Sequence, residues 1–218
     1  MHNCILDFTL RRVCRPFVAL CNGLLPLGIL LCGAMTSLGW RRLMACMLGW
    51  AMISELEKLA EQVGLRLIDR GEMLATAESC TGGWVAQSLT AIAGSSAWFD
   101  RGFVTYSNAA KVDMLGVPET TLARQGAVSE ATARAMAQGA LVHSRAHWAL
   151  AITGIAGPTG GTIDKPVGTV CFAWAMREGG CEAQTGHFPG DRAAVRALSV
   201  RHALTGLLAR LQDASCMA

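Results

Sequence analysis

A chain of 218 residues, 52% hydrophobic and 16% charged, holds one large domain or a domain with an extension, and its composition argues against a disordered polypeptide. The net charge of +3 belongs to the first 51 residues, where five Arg (11, 12, 15, 41 and 42) face one acid, Asp7, whereas residues 52–218 carry 14 Lys and Arg against 15 Asp and Glu. A nearly neutral body with no basic stripe argues against a nucleic-acid groove. Nine cysteines without a C-x-x-C spacing argue against zinc and fit reduced thiols in a cytoplasm.

From Phe17 to Trp40 the chain is mostly apolar with Arg on both sides, about the length of a membrane span. Asn22, Pro26 and several Gly weaken both an anchor and a signal peptide. Residues 1–51 are therefore expected to be an N-terminal extension, disordered or read in frame upstream of the domain, with a membrane anchor as the alternative. The domain is expected to open at Met52. Ser54 and Glu57 form a capping box, and Leu56, Leu59, Ala60, Val63 and Leu67 make one apolar helix face.

A buried strand follows at Met73–Ala77, then a helix over Gly82–Ile92. The next strand contains Phe103, Val104 and Tyr106. Asn108 is expected to cap a short helix, Ala109–Leu115, that Gly116 and Pro118 stop. Ser129 caps another over Glu130–Val142. Ala149–Thr153 is a compact apolar strand. Gly168–Met176 alternates large and small residues at period two, Glu182–Phe188 pairs with it, and Asp191 caps a long closing helix. Strands interleaved with helices predict an α/β fold, a three-layer α/β/α sandwich with a mixed, partly parallel sheet. In such sheets ligands sit beyond the carboxyl ends of the parallel strands, so the turns Glu78–Gly83 and Gly154–Gly161 are expected to meet at one crevice.

Those turns carry the candidate chemistry. In "LATAESCTGGWVAQSL" a strand ends in Glu78-Ser79-Cys80-Thr81-Gly82-Gly83 and a helix begins at once. Helix-start amides suit an anion or an oxyanion, with the Ser79 and Thr81 hydroxyls beside them. The plainer alternative is a capped, tight turn. Neither a P-loop nor a G-x-S-x-G elbow is present, since Ala77 stands where the elbow needs Gly. In "TYSNAAK" Lys111 falls in a helix's first turn, where the dipole disfavours a cation. It is either a solvated lysine or a general base whose pKa burial lowers. Glu78, the one acid inside a motif, is available to orient Ser79 or Lys111. "ITGIAGPTGG" (Ile152–Gly161) is a loop through which backbone amides can approach a ligand or merely connect two elements. In "GDRAAV" Arg192 opens the closing helix and suits a phosphate or carboxylate, or else pairs with Asp191. The five His are scattered and form no metal pattern.

In order, "AESCTGG", "GSSAWFDRGFVTYSNAAK", "GAVSEATA", "ITGIAGPTGG", "KPVGTV" and "GDRAAVR" closely resemble the CinA C-terminal domain family from about Met52 to Leu211. The resemblance does not reach residues 1–51. Single-domain members of that family are nicotinamide-nucleotide amidohydrolases, so the resemblance implies hydrolysis of nicotinamide mononucleotide to nicotinic acid mononucleotide and ammonia in pyridine nucleotide salvage. Carried over residue by residue, it implies Ser79 as nucleophile, Lys111 as its base and Tyr106 nearby. The nucleotide would be held by Glu78, Thr81, Gly82 and Gly83 of the first turn, by Thr153, Gly154, Ile155, Ala156 and Gly157 of the second, and by Arg192. Where related sequences often have Ser, this one has Thr153, which keeps the hydroxyl. No metal or organic cofactor is needed on this account, and a cytoplasmic homo-oligomer is expected. A nucleotide-sensing module associated with competence, or an amidase for another pyridine nucleotide, remain the alternatives. So does the opposite arrangement, with phosphate at the Ser79 turn.

Overall fold

The computed structural model describes residues 37–213. Most of the Phe17–Trp40 run lies outside them. The chain divides into two units, Met1–Ala51 and Met52–Ala218, and the second contains the whole sheet.

Helix α1 runs unbroken from Ser37 to Arg70, so Ser54 does not cap a helix start as its spacing to Glu57 suggests. The residues before it, "WRRLMACMLGWA", contain no proline and only one glycine, and are otherwise mostly strong helix formers. Once nucleated, the helix propagates through the serine.

The remaining elements follow as β1 (Leu74–Glu78), α2 (Trp84–Thr90), β2 (Phe99–Val104), α3 (Asn108–Leu115), α4 (Glu119–Gln125), α5 (Glu130–Val142), β3 (Trp148–Gly154), β4 (Thr169–Met176), β5 (Cys181–His187) and α6 (Arg192–Asp213). Two corrections are local. The cap of α3 is Ser107, whose hydroxyl accepts from the Ala110 N–H at 3.0 Å, and Asn108 is already helical. The helix stops at Leu115 with Gly116 as its C-cap, as expected, but Pro118, at φ −61° and ψ 130°, is also the N-cap of α4, a helix the sequence reading missed. The Ser129 and Asp191 caps are as expected, accepting from the N–H groups of Thr132 and Ala194.

The five strands form one sheet in the order β2-β1-β3-β4-β5. β1 is parallel to both β2 and β3, while β4 runs antiparallel to β3 and β5. The fold is therefore α/β with a mixed sheet between two helical layers. One face presents Leu74, Leu150, Ile152, Val170, Phe172 and Trp174 to α1, α2 and α6. The other presents Ala75, Ala77, Ala149, Ala151, Ala173 and Ala175 to α3 and α5. The period-two alternation of β4 thus separates large from small, not buried from exposed, because seven of its eight residues are buried. Large side chains fill the wider gap, at roughly 1.5–3 kcal/mol for each one fully buried. Alanines let α5 approach the opposite face closely. Among the described residues, no helix is long and apolar enough to cross a membrane.

Candidate active site

β1 and β2 end together and β3 runs on to Gly154: Glu78 is in register with Val104 on one side and Ile152 on the other. The turn after β1 and the loop after β3 therefore leave one end of adjacent parallel strands, where open α/β sheets bind ligands. The Ser79 N–H donates to Ile152 O at 2.9 Å and fixes the turn to β3. Gly82 and Gly83 follow with φ of +62° and +92°, a left-handed pair that side chains with a Cβ rarely adopt. This accounts for the double glycine without invoking a ligand.

Ser79 and Lys111 are brought together. Lys111, the fourth residue of α3, is only 1% exposed, and its Nζ lies 3.0 Å from Ser79 Oγ and 2.8 Å from Thr105 O. Its position in the first turn, unfavourable for the helix dipole, is balanced by these two oxygens. Burial pushes its pKa below the usual lysine value, because taking a charge out of water disfavours the ammonium. Cys80 acts in the other direction on Lys111, yet its own thiol is pushed up to about 12 by burial. It stays protonated at neutral pH, and Lys111 bonds to Ser79 Oγ instead of this thiol, which makes Ser79 the candidate nucleophile.

Glu78 turns away from both. Its carboxylate accepts from the N–H groups of Gly83, Val85 and Ala86 at 3.1, 3.0 and 2.9 Å. The amides that open α2, which looked free for an anion, are occupied from within, and Glu78 orients the helix, not Ser79 or Lys111. The Gly82 N–H donates to Ser79 O. Among the described residues this leaves two amides of the turn, the Cys80 and Thr81 N–H groups, donating to no other residue. The Thr81 side chain is fully buried, and its hydroxyl has no hydrogen-bond partner among the described residues.

Tyr106 and Arg192 form a separate group at the rim. Tyr106 lies beyond the end of β2 and is 60% exposed. Its hydroxyl accepts from Arg192 Nη2 at 2.7 Å, not from Lys111. Arg192 Nη1 donates to Gly157 O at 2.9 Å, so this side chain spans from the end of β2 to the glycine loop and does not pair with Asp191. The loop itself is largely structural. Thr153 donates its hydroxyl to Ala127 O at 2.7 Å. Ile155 bonds through both backbone groups to Thr169 and Gly168, and Ala156 belongs to the core. A Cβ on Gly154 would meet Thr169 O at 2.9 Å, so close approach of β4 explains that glycine. Lys165 orders the far side by donating to Gln125 O and Val128 O.

One residue in contact with the turn escaped the sequence reading. Arg196, a helical turn beyond Arg192, donates from Nη2 to Thr81 O at 2.7 Å. Its place in "GDRAAVR", four residues after Arg192, was the available signal.

Residues 56–211 match the model of the family described as the CinA C-terminal domain. The chain is similar to the nicotinamide-nucleotide amidohydrolase PncC of Escherichia coli K12, at 58% identity over 154 residues covering 71% of this chain and 93% of that protein. It is also similar to a CinA-like protein of Akkermansia muciniphila, at 49% identity over 69% of this chain but 36% of that one. The structure of the competence/damage inducible protein CihA from Agrobacterium tumefaciens superposes with a TM-score of 0.70 at 50% identity, covering 72% of this chain and 96% of that one.

Proposed function

Because the chain belongs to the CinA C-terminal domain family, we propose that it hydrolyses the carboxamide of nicotinamide mononucleotide, with Ser79 as nucleophile and Lys111 as general base. The observation that carries this reading is the 3.0 Å contact between Lys111 Nζ and Ser79 Oγ in a buried setting that favours the neutral amine. An amide carbon is a poor electrophile, so its hydrolysis needs an activated nucleophile, donors for the oxyanion and a proton for the departing amine.

Neutral Lys111 takes the proton as Ser79 Oγ bonds to the carboxamide carbon. The Lys111 ammonium then protonates the nitrogen, the C–N bond breaks and ammonia leaves. Water attacks the resulting ester with Lys111 again accepting a proton, and nicotinic acid mononucleotide departs as Ser79 is restored. The Thr81 N–H is the candidate oxyanion donor. Arg192, exposed at the rim, takes the 5′-phosphate. The alternative of phosphate at the Ser79 turn is disfavoured because the Glu78 carboxylate already occupies the start of α2. A buried base beside a serine also favours the enzyme over a purely sensing module, which needs neither.

The reading extends to a cytoplasmic homo-oligomer that uses no nucleic acid and no cofactor, with residues 1–51 dispensable for turnover. Light scattering tests the assembly, and comparison of the full chain with Met52–Ala218 tests the extension. The decisive experiment is ammonia release from nicotinamide mononucleotide by the full chain and by Ser79→Ala. Loss of turnover on the order of 10⁴-fold or more is expected of a nucleophile. Turnover by Ser79→Ala at the parent rate overturns the assignment.

A further inference from the structure

Arg192 and Arg196 sit four residues apart on α6, and their guanidinium groups reach different loops. Arg192 bonds Tyr106 and the glycine loop. Arg196 crosses 115 residues of sequence to donate to Thr81 O at 2.7 Å, and its guanidinium carbon lies 5.4 Å from the centre of the Trp84 ring that opens α2. Thr81 O also accepts from the Trp84 N–H at 3.3 Å. At the other end of the same peptide plane, the Gly82 N–H donates to Ser79 O at 3.0 Å. A peptide unit is planar and stiff, so a single rigid plate joins Arg196 to the carbonyl of Ser79. The turn needs this brace. Gly82 and Gly83 both have positive φ, and glycine gives the backbone little stiffness of its own. The guanidinium also lies directly against the turn, since a Cβ on Gly82 would come 3.7 Å from Arg196 Nη2.

We infer that Arg196 is a positioning residue for Ser79, holding the Thr81–Gly82 peptide so that Ser79 Oγ stays aligned with Lys111 and the Thr81 N–H stays turned to the oxyanion. The inference rests on Ser79 being the nucleophile. The Arg196 bond to Thr81 O is charge-assisted, and its contact with the Trp84 ring helps hold the guanidinium in place. Without Arg196 the two glycines relax, and a displacement of about 1 Å between reacting groups costs roughly 10²-fold in rate.

The test is steady-state kinetics of Arg196→Ala in the full chain, with thermal melting as the check on folding and Ser79→Ala in the same assay. The expected result is a fall in kcat on the order of 10²-fold with KM within about threefold, because the residue does not touch substrate. Free guanidinium at millimolar concentration is expected to restore part of kcat and leave KM alone. Arg196→Lys keeps a donor but loses the planar guanidinium, and is expected to fall about tenfold in kcat. If Arg196→Ala does not fold, this lysine variant decides, and parent-level kcat in it overturns the inference. Unchanged kcat in folded Arg196→Ala also overturns it, as does a rise in KM alone, which would make Arg196 a substrate contact. If Ser79→Ala retains turnover, the nucleophile assignment itself has failed. If Ser79→Ala is inactive while Arg196→Ala matches the parent, only the positioning role has failed.

Discussion

At the floor of the crevice, Glu78 and Lys111 are each about 1% exposed and their charged groups bond to named partners within the protein. At the rim, Tyr106 is 60% exposed, and among the described residues Arg192 is held by that tyrosine and by Gly157 O. The two regions use charge in opposite ways. Burial at the floor makes the ammonium of Lys111 costly and so favours the neutral amine that the proposed base requires. Exposure at the rim keeps the Arg192 guanidinium hydrated and available to an incoming anion. On the proposed reading, reaction chemistry and substrate capture are therefore separable, and substitutions test that separation.

The sharpest break is at the floor. Lys111→Met fills the same space without a base and is expected to lose about 10³-fold in kcat, within the range for general base catalysis. Its melting temperature should change little, since the desolvation of the amine is removed while Ser79 Oγ and Thr105 O lose their donor. A variant with normal kcat would show that Lys111 is only structural. Burial also gives a pH signature. The folded protein releases the Lys111 proton below the ordinary lysine pKa of 10.5. Between that lowered pKa and 10.5 the unfolded chain therefore holds a proton that the folded one lacks. Stability of the parent relative to Lys111→Met should then rise with pH across this window, and kcat/KM should rise through its lower edge. A flat difference in melting temperature contradicts the assignment of a lowered lysine.

Next comes the rim. Arg192→Ala is expected to raise KM for nicotinamide mononucleotide roughly 10- to 100-fold, equivalent to about 1.5–3 kcal/mol for a lost charged hydrogen bond, with kcat little changed. The same variant assayed on nicotinamide riboside, which has no phosphate, should show no such penalty. An equal penalty on both substrates removes Arg192 from phosphate binding. Glu78→Gln tests whether the floor is also a structural joint. Replacing the acceptor of three helix amides should lower unfolding stability by about 1–3 kcal/mol in urea titration. Unchanged stability would mean that α2 does not depend on this cap. The smallest effect belongs to Tyr106→Phe, where loss of the hydroxyl that receives Arg192 should raise KM a few-fold, at about 0.5–1.5 kcal/mol. A collapse of kcat would instead place Tyr106 in the chemistry.

Much of this was legible from local sequence where one residue settles one geometry. Ser129 and Asp191 as caps, Gly116 as a stop and the period-two pattern of β4 each follow from backbone sterics or side-chain reach. Lys111 was conspicuous because it violates a local preference, and its partners Ser79 Oγ and Thr105 O explain the violation. Signals with two meanings misled. Ser54 and Glu57 are spaced like a capping box but lie inside a continuous helix, and Pro118 ends one helix by starting the next. The partners of Glu78, Thr153 and Arg196 were not legible at all. Each depends on which carbonyl or amide the tertiary fold brings within 3 Å, and no periodicity encodes that distance.

The division of the sheet into a large-residue face and an alanine face has a consequence for how the protein tolerates mutation. On the side of Leu150, Ile152, Phe172 and Trp174, change is punished when volume is lost, at about 3–5 kcal/mol for an aromatic cut to alanine. On the side of Ala77, Ala149, Ala151 and Ala173, it is punished when volume is gained, typically by 1–3 kcal/mol as α5 is forced outward. Each β1 and β3 residue therefore has a permitted direction of drift set by the parity of its position. A library of random substitutions should show this as two interleaved tolerance profiles along one strand, one admitting only bulk and the next only its absence.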